Sequence, residues 1–331
     1  STQETKAATT EAAVSEAASE ASEALDSEGA KADGSYTVGI IQLIENGAFN
    51  DMREGFIEEL QEKGYTEDKL TVDYKCAQGD ATNLQTIAQS MADGSYDLVC
   101  TIATPATQAM VNLETDTPVV FIAVSAPVAA GVITDMDHPD KNATGTSNAI
   151  PVSDIFALSN QLTPDCKTFG FLYCTSEVNS VDTIEAAKEY CDANGLSYKE
   201  ATVTNSSEVQ QAAQSLVGSV DAMFVPNDSV IQASMTLVTE VARDAKIPVY
   251  GSSATMVDSG AFATVAISDK GIGAMSADMA VQILDGTAVA DIPAVVVPAS
   301  ATVINNQTLE ALGIALSDDV KNTATFVDDA Q

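Results

Sequence analysis

The stretch VCTIATPATQAM, residues 99–110, joins an apolar strand-like run to a helix-like run of small residues. Thr104 and Pro105 stand at the junction, where the helix is predicted to begin. A helix start exposes backbone N–H groups that have no acceptor within the helix, so a strand that ends there presents donors to an anion or a polar ligand. A purely structural alternative makes Thr104 the N-cap and Pro105 the first helical residue.

The same alternation of strand and helix repeats from Tyr36 onward, in two successive series. Runs that are apolar on both faces and separated by helices are typical of parallel sheets covered on both sides. The sequence therefore predicts an α/β fold with two doubly wound lobes, each built on a parallel sheet, joined by a hinge. The predicted strands are YTVGIIQL, KLTVDYKCA, YDLVCTIA and TPVVFIAV in the first series and KTFGFLYC, SYKEATV, VDAMFVP and IPVYG in the second, with SAPVAAGV as the helix after the fourth strand.

The length of 331 residues favours two domains over one core. The first lobe is predicted to contain residues 36–148 and 267–294, and the second residues 149–266 and 295–331, because a late helix returns the chain through the first lobe before it ends in the second. Residues 1–35 consist mainly of Ala, Ser, Thr and Glu, with too few large apolar side chains to form a core. They are predicted to be a disordered tether.

Charge and composition exclude several classes of partner. The chain has 48 acidic and 14 basic residues and a formal net charge of −34, a field that repels nucleic acids and anionic membrane surfaces. Only two arginines are present, Arg53 and Arg243, so a carboxylate ligand would have to rely on backbone N–H groups and hydroxyls. The five cysteines form no C-x-x-C pair and are predicted to be mostly free thiols.

Enzymatic and metal-binding motifs are missing from the sequence. His138 is the single histidine, and neither the G-x-S-x-G pattern nor a P-loop occurs. Asp135, Asp137 and Asp140 lack the central glycine and the closing glutamate of an EF-hand. We therefore predict a protein that is not an enzyme and has no cofactor and no metal.

Polar residues follow almost every predicted strand. In open α/β sheets ligands bind beyond the carboxyl ends of the strands, and two lobes that face each other there would form a cleft. The candidate ligand-binding residues are Glu45, Asn46, Gln78, Thr104, Pro105, Ala106, Ser125 and Ala126 in the first lobe and Asn179, Ser180, Asn227, Asp228, Ser252 and Ser253 in the second.

Several candidates also have a structural explanation. Asp228 precedes a helix, where an aspartate is a common N-cap. Asn179 and Ser180 fall in the first turn of another helix and could be solvated. A carboxylate in a closed cleft would also pair with the ammonium group of a ligand, so Asp228 or Asn227 is one predicted anchor and Glu45 is its rival.

At these turns the chain resembles the ABC-transporter solute-binding proteins with the type I periplasmic-binding fold, in the branch that includes tryptophan- and other aromatic amino-acid-binding lipoproteins. The resemblance covers about residues 36–315. The segments that carry it are VGIIQLIENGAFNDMREGFIEEL, AQGDATNLQTIAQ, IATPATQAM, VVFIAVSAPVAAG, ATVTNSSEVQQAAQSLVGSVDAMFVPND and INNQTLEALGI.

The resemblance implies an extracytoplasmic, cell-surface lipoprotein that captures a small zwitterion, an amino acid with an apolar or aromatic side chain, and delivers it to an ABC permease. It implies contact with the membrane only through a lipid anchor on a removed N-terminus. It also places the ligand carboxylate near the helix start at Thr104. The family commonly has a histidine where Asn46 stands and an aspartate near Ala126, so the amino acid itself stays open. An extracellular ligand-sensing domain of a signalling system is the alternative.

Overall fold

The computed structural model describes residue 31 and residues 34–149, 152–299 and 301–330. The predicted tether, residues 1–35, lies almost wholly outside the described residues. Within the described part, no helix combines the length and the apolar character needed to cross a bilayer.

Strands and helices alternate along most of the chain. The strands are β1 (Tyr36–Gln42), β2 (Leu70–Cys76), β3 (Leu98–Ile102), β4 (Val119–Ile122), β5 (Ala143–Ser147), β6 (Thr168–Cys174), β7 (Ser197–Val203), β8 (Ala222–Val225), β9 (Val249–Gly251), β10 (Ala263–Ala266), β11 (Val295–Val296), β12 (Ala301–Asn305) and β13 (Thr325–Val327). The α-helices are α1 (Gly47–Glu62), α2 (Ala81–Met91), α3 (Ala103–Val111), α4 (Val152–Leu162), α5 (Val178–Ala193), α6 (Val209–Val217), α7 (Ser229–Ala233), α8 (Met235–Asp244), α9 (Ala254–Asp258), α10 (Asp269–Leu284), α11 (Asn306–Leu312) and α12 (Asp318–Thr323).

The chain divides into two compact units. Unit 1 contains the described residues up to Ala149 together with Asp269–Val297, and unit 2 contains the remaining described residues, up to Ser268 and from Pro298 onward. Strand β11 lies in unit 1, where it pairs with β5. Whether the two units move as hinged lobes stays a prediction.

Unit 1 is built on a six-stranded sheet in the order β11-β5-β4-β3-β1-β2, with every pair parallel. All residues of β3 and β4 are buried, as the continuous apolar runs of the sequence predict for strands covered on both faces. The register aligns four strand ends, since Gln42 pairs with both Cys76 and Ile102, and Ile102 pairs with Ile122. The segments that follow these four strands therefore leave the sheet at one edge.

Unit 2 is built on a seven-stranded sheet in the order β13-β12-β10-β9-β8-β6-β7. Its strands are parallel except for the antiparallel pair of β10 and β12. The two-series α/β organisation predicted from the sequence is confirmed. One element differs: SAPVAAGV forms turns rather than a helix, and Pro127 accepts hydrogen bonds at its carbonyl from the N–H groups of Val132 and Ile133.

Helices α1 and α10 of unit 1 pack at a distance that only glycine allows. A Cβ added to Gly55 would lie 2.1 Å from the carbonyl oxygen of Lys270, and a Cβ added to Gly273 would lie 2.0 Å from that of Met52. Each helix therefore contributes one glycine against the backbone of the other. This contact fixes α1, whose first turn follows the end of β1.

We expect the substitution Gly55→Ala to lower the free energy of unfolding by about 2 kcal/mol or more, because the added methyl group collides with backbone that cannot rotate away. Gly47→Ala in the same helix is the matched control: no atom lies within 4 Å of the added Cβ. The control should change stability by less than about 0.5 kcal/mol. Denaturant unfolding followed by circular dichroism measures both, and equal midpoints for the two variants would contradict this account of the helix contact.

Candidate functional site

At the start of α3, backbone donors have no acceptor among the residues that the structure describes. The helix begins at Ala103, and its N-cap, Ile102, makes no side-chain capping bond. Because Pro105 has no N–H, the donors of the first turn that have no acceptor within the helix are those of Ala103 and Thr104. The alternative with Thr104 as N-cap is therefore wrong, and Pro105 is the third helical residue rather than the first. Strand β3 continues to Ile102, and the helix begins directly after it at Ala103, two residues earlier than the alternative with Pro105 as the first helical residue requires.

The other two predicted residues at this junction differ in exposure. Pro105 is exposed, whereas Ala106 is fully buried. The N–H of Ala106 is placed to donate to the carbonyl of Ile102 in the regular i to i−4 pattern of the helix. The half-buried side chain of Thr104 has no hydrogen-bond partner among the described residues. Thr104 thus offers both an N–H and a hydroxyl.

The loop after β1 carries Glu45 and Asn46, which are both exposed. Glu45 accepts a 2.9 Å hydrogen bond at Oε1 from the hydroxyl of Tyr74. Asn46 caps α1 by accepting at Oδ1 from the N–H of Phe49, at 2.8 Å. Burial and the bond to Glu45 both raise the pKa of Tyr74, so its hydroxyl is a firm donor at neutral pH.

The loops after β2 and β4 contribute the remaining candidates of unit 1. Gln78 is exposed and has a left-handed backbone, with φ of 55°. Ser125 donates from Oγ to Oδ1 of Asn148 at 3.1 Å, and the carbonyl of Ala126 accepts from the N–H of Ala130 at 2.8 Å. Since β1 to β4 end at one edge, the structure brings the unit 1 candidates to that edge.

In unit 2 the first turn of α5, which follows β6, is hydrogen-bonded to the loop after β8. Asn179 donates from Nδ2 to the carbonyl of Asn227 at 2.6 Å, and Ser180 donates to the same carbonyl from Oγ at 3.3 Å. Ser180 is fully buried, whereas Asn179 and Asn227 are exposed. The three predicted residues therefore meet, and the side-chain amide of Asn227 has no partner among the described residues.

Asp228 is almost completely buried, with an exposed fraction of 3%. Its Oδ1 accepts from the N–H of Ile231 at 2.9 Å, which makes it the N-cap of α7 as the sequence predicts. Its Oδ2 accepts from the N–H of Cys174 at 2.7 Å, at the end of β6. Both carboxylate oxygens thus hold backbone donors of unit 2, and a substitution here would disturb the loops as well as any bound ligand.

The sequence analysis did not identify Glu177, whose carboxylate accepts hydrogen bonds from the first residues of α7. Its carboxylate accepts from the N–H groups of Ser229 and Val230, at 3.0 and 3.2 Å, and from the hydroxyl of Ser229. These hydrogen bonds, that of the Ser229 hydroxyl first, hold the pKa of Glu177 below its usual value. Glu177 precedes α5 by one residue, but its partners lie 52 and 53 residues further along the chain, so no local signal reveals them.

The two serines after β9 also serve the fold of unit 2. Ser252 is buried and donates from Oγ to the carbonyl of Val225 at 2.8 Å, which joins the ends of β9 and β8. Ser253 is the N-cap of α9 and accepts from the N–H of Met256 at 3.3 Å. These contacts leave the proposed ligand role of both residues a prediction.

Two cavities of about 420 and 330 Å³ are each lined by residues of a single unit, and neither is lined by a predicted site residue. Among the described residues, no three His, Cys, Asp or Glu side chains are grouped so that they could hold a metal ion. All five cysteines are free. The groups at the strand ends can form hydrogen bonds through amides, hydroxyls and exposed carboxylates, among them that of Glu45.

Comparison with known proteins agrees with this architecture. Residues 37–327 match the family described as ABC transporter substrate binding protein. The chain is 36% identical to the tyrosine-binding protein of Clostridioides difficile over 289 residues, which are 86% of this chain and 84% of that protein.

Two solved structures share the fold at high similarity. One is the ligand-free, open structure of a substrate binding protein with adhesive properties from Clostridium difficile, with a TM-score of 0.85, 35% identity, and coverage of 89% of this chain and 100% of that one. The other is the ABC domain from Streptococcus pneumonia in complex with L-Trp, with a TM-score of 0.70, 31% identity, and coverage of 88% and 100%. The chain therefore belongs to the family of ABC transporter substrate-binding proteins, with the type I periplasmic-binding fold.

Proposed function

We propose that this chain is the extracytoplasmic solute-binding component of an ABC importer and that it captures a zwitterionic amino acid with an apolar or aromatic side chain. The relatives that bind tyrosine or L-Trp support this ligand class. We further propose that the ligand lies between two lobes that close over it, because a ligand that contacts both lobes stabilises the closed form. The closed complex is then the form that a permease recognises, and a lipid anchor at the N-terminus would keep the protein at the cell surface.

The observation that carries this proposal is the uncapped start of α3. A ligand carboxylate removed from water needs two or three charge-assisted donors, which the N–H groups of Ala103 and Thr104 and the Thr104 hydroxyl can provide. The partial positive charge at a helix start favours the same group. In unit 2 the corresponding donors at α7 already hold Glu177 and Asp228. The carboxylate is therefore assigned to α3.

The ligand ammonium is assigned to Glu45. This carboxylate is exposed, and the Tyr74 hydroxyl orients it through a single oxygen, which leaves acceptor capacity on the other. Asp228, the rival anchor, has both oxygens engaged by backbone N–H groups. The free side-chain amide of Asn227 remains a proposed contact from unit 2.

Exposed apolar side chains at the strand ends support a ligand with an apolar side chain. An apolar ligand side chain needs exposed apolar residues to contact, although single exposed apolar residues are also common on protein surfaces. Ile44, Val128 and Val178 are 46%, 47% and 74% exposed, and each lies in the segment that follows a strand. Each also lies within three residues of a candidate polar contact, so the same loops could meet both ends of an amphipathic ligand.

We expect free L-tyrosine and L-tryptophan to raise the melting temperature in a thermal-shift screen, with dissociation constants near micromolar by calorimetry, which corresponds to about −8 kcal/mol. The N-acetyl and amide derivatives of the same amino acids are matched probes that lack the ammonium or the carboxylate charge. Both should bind at least about tenfold more weakly, because each loses one charge-assisted contact.

Stabilisation by sugars alone would contradict the zwitterion proposal. Stimulation of a permease ATPase by the ligand-bound protein would support the importer role, whereas binding without any effect on a permease would favour the sensing alternative.

We expect Thr104→Val to weaken amino-acid binding about tenfold or more, because the hydroxyl that would donate to the carboxylate is lost while the volume is kept. The melting temperature of the free protein should hardly change, since this hydroxyl has no partner among the described residues. Thr86→Val on the exposed face of α2 is the control and should leave binding unchanged. Equal affinities of the two variants would remove Thr104 from the site.

We expect Glu177→Gln to lower the melting temperature at pH 7 by about 1–3 °C, because the amide has one acceptor oxygen where the carboxylate has two. The pKa of Glu177 is depressed in the folded chain, so its stabilisation is present above the usual glutamate pKa and is lost as pH falls through the folded value. The difference between wild type and variant should therefore shrink as the pH falls from 7 to below the usual glutamate pKa of about 4.3.

The control for this pH series is Glu240→Gln, an exposed glutamate in α8 without a hydrogen-bond partner among the described residues. Its melting temperature should follow that of the wild type at every pH. A Glu177→Gln difference that stays constant between pH 3 and 7 would show that the carboxylate charge does not hold the start of α7.

A further inference from the structure

Three strands of unit 1 are followed by residues with left-handed backbone conformations that are not glycine. Gln78, Ala103 and Ala123 have φ values of 55°, 67° and 57°, and they follow β2, β3 and β4. Ala103 and Ala123 come directly after Ile102 and Ile122, which are paired across the sheet. Two strained alanines therefore stand side by side where the candidate carboxylate donors begin.

A left-handed alanine is unfavourable. The Cβ comes too close to the following carbonyl oxygen, and alanine has no polar side chain to compensate, as asparagine or aspartate has. Such residues persist only where the surrounding structure holds them, and they are concentrated at ligand-binding sites. Both positions would accept glycine without strain, so the alanines call for an explanation.

Buried hydroxyls hold Ala103 in place. Its carbonyl accepts a 2.8 Å hydrogen bond from Oγ1 of Thr107, which in turn lies 2.8 Å from Oγ1 of Thr101. Because Thr107 donates to the carbonyl, Thr101 is the donor to Thr107. Both threonines are fully buried. The two threonines therefore link the end of β3 to α3 across the strained Ala103.

A second chain of hydroxyls holds Ala123. The N–H of Ala123 donates to Oγ1 of Thr146 at 3.3 Å, Thr146 lies 2.8 Å from Oγ of Ser276, and Ser276 donates to the carbonyl of Phe121 at 3.0 Å. Thr146 and Ser276 are fully buried. This chain of hydrogen bonds begins at Ala123, passes through β5 and α10, and ends at Phe121 of β4, two residues before Ala123.

From these contacts we infer that Ala103 and Ala123 are positioning residues: their strained, hydroxyl-braced conformations fix the backbone donors after β3 and β4 in the ligand-binding orientation before ligand arrives. This inference rests on the proposed function. An alanine held by its neighbours has fewer accessible conformations than a glycine, so less freedom is lost when the carboxylate binds. Preorganised donors bind more tightly than donors that must first be ordered.

The test compares Ala103→Gly, Ala123→Gly and the double variant with the wild type. Calorimetry with L-tyrosine should show dissociation constants about three- to fivefold higher for each single variant and about tenfold higher for the double variant. The melting temperature of Ala103→Gly should stay equal or rise, because the strain is relieved. A loss of affinity without a loss of stability is the signature that a merely structural role would not produce.

Glu114→Gly is the matched control, because Glu114 is also left-handed, with φ of 52°, but follows α3 rather than a strand. Its affinity for L-tyrosine should equal that of the wild type. Thr107→Ala should weaken binding as Ala103→Gly does, and Thr107→Ser, which keeps the hydroxyl, should restore it.

Amide hydrogen exchange of the ligand-free proteins provides a readout that needs no ligand. Exchange in residues 103–108 should be faster in Ala103→Gly than in Glu114→Gly. Unchanged exchange, or unchanged affinity in the double variant, would overturn the inference and leave the proposed function standing. Failure of the wild type to bind any amino acid would overturn the proposed function and this role with it.

Discussion

The in-register parallel pairing of β1 to β4 is the constraint on which the candidate site of unit 1 depends. Gln42 pairs with Cys76 and Ile102, and Ile102 pairs with Ile122, so the four strands end together. A shift of one residue in any pair would exchange the faces on which its side chains lie and disrupt the close packing of the core. Packing of the core thus fixes the residue at which each strand ends, and the loops that follow the four strands all begin at the same edge of the sheet.

The two units satisfy the backbone donors at their helix starts in different ways. In unit 2 the carboxylates of Glu177 and Asp228 accept from the N–H groups at the start of α7. In unit 1 no side chain caps α3, and the residue before Thr104 is held in a strained conformation. Donors that are already satisfied stabilise a loop, whereas donors left open can bind a ligand. For this reason the proposed function assigns the ligand carboxylate to unit 1 and not to the start of α7 in unit 2.

The sequence predicted those features that depend on local patterns. Alternating apolar strands and amphipathic helices gave the fold class, and the position of Asp228 before a helix gave its capping role. Contacts between residues that are far apart in the sequence could not be predicted from local patterns. The bond from Asp228 to Cys174 spans 54 residues, and that from Glu177 to Ser229 spans 52. The helix predicted for SAPVAAGV, residues 125–132, was wrong for a local reason: Pro127 near its start and Gly131 near its end favour turns over a helix.

The contacts of the two arginines explain why backbone donors carry so much of the proposed site. Arg243 binds both carboxylate oxygens of Asp329, at 2.7 and 2.9 Å. Arg53 donates to Oε1 of the buried Gln42 at 2.7 Å and lies 4.0 Å from the ring centroid of Tyr74. Both guanidinium groups therefore brace their own units.

The net charge of the chain affects a free anion and a zwitterion differently as they approach. A chain with a formal net charge of −34 repels a free anion over distances set by the ionic strength, but it exerts no net force of this kind on a zwitterion. In the proposed complex the carboxylate of that zwitterion would meet the N–H groups at the start of α3, where the helix dipole makes the local electrostatic potential positive. An overall acidic protein can thus hold a carboxylate, provided that the ligand carries its own compensating ammonium group.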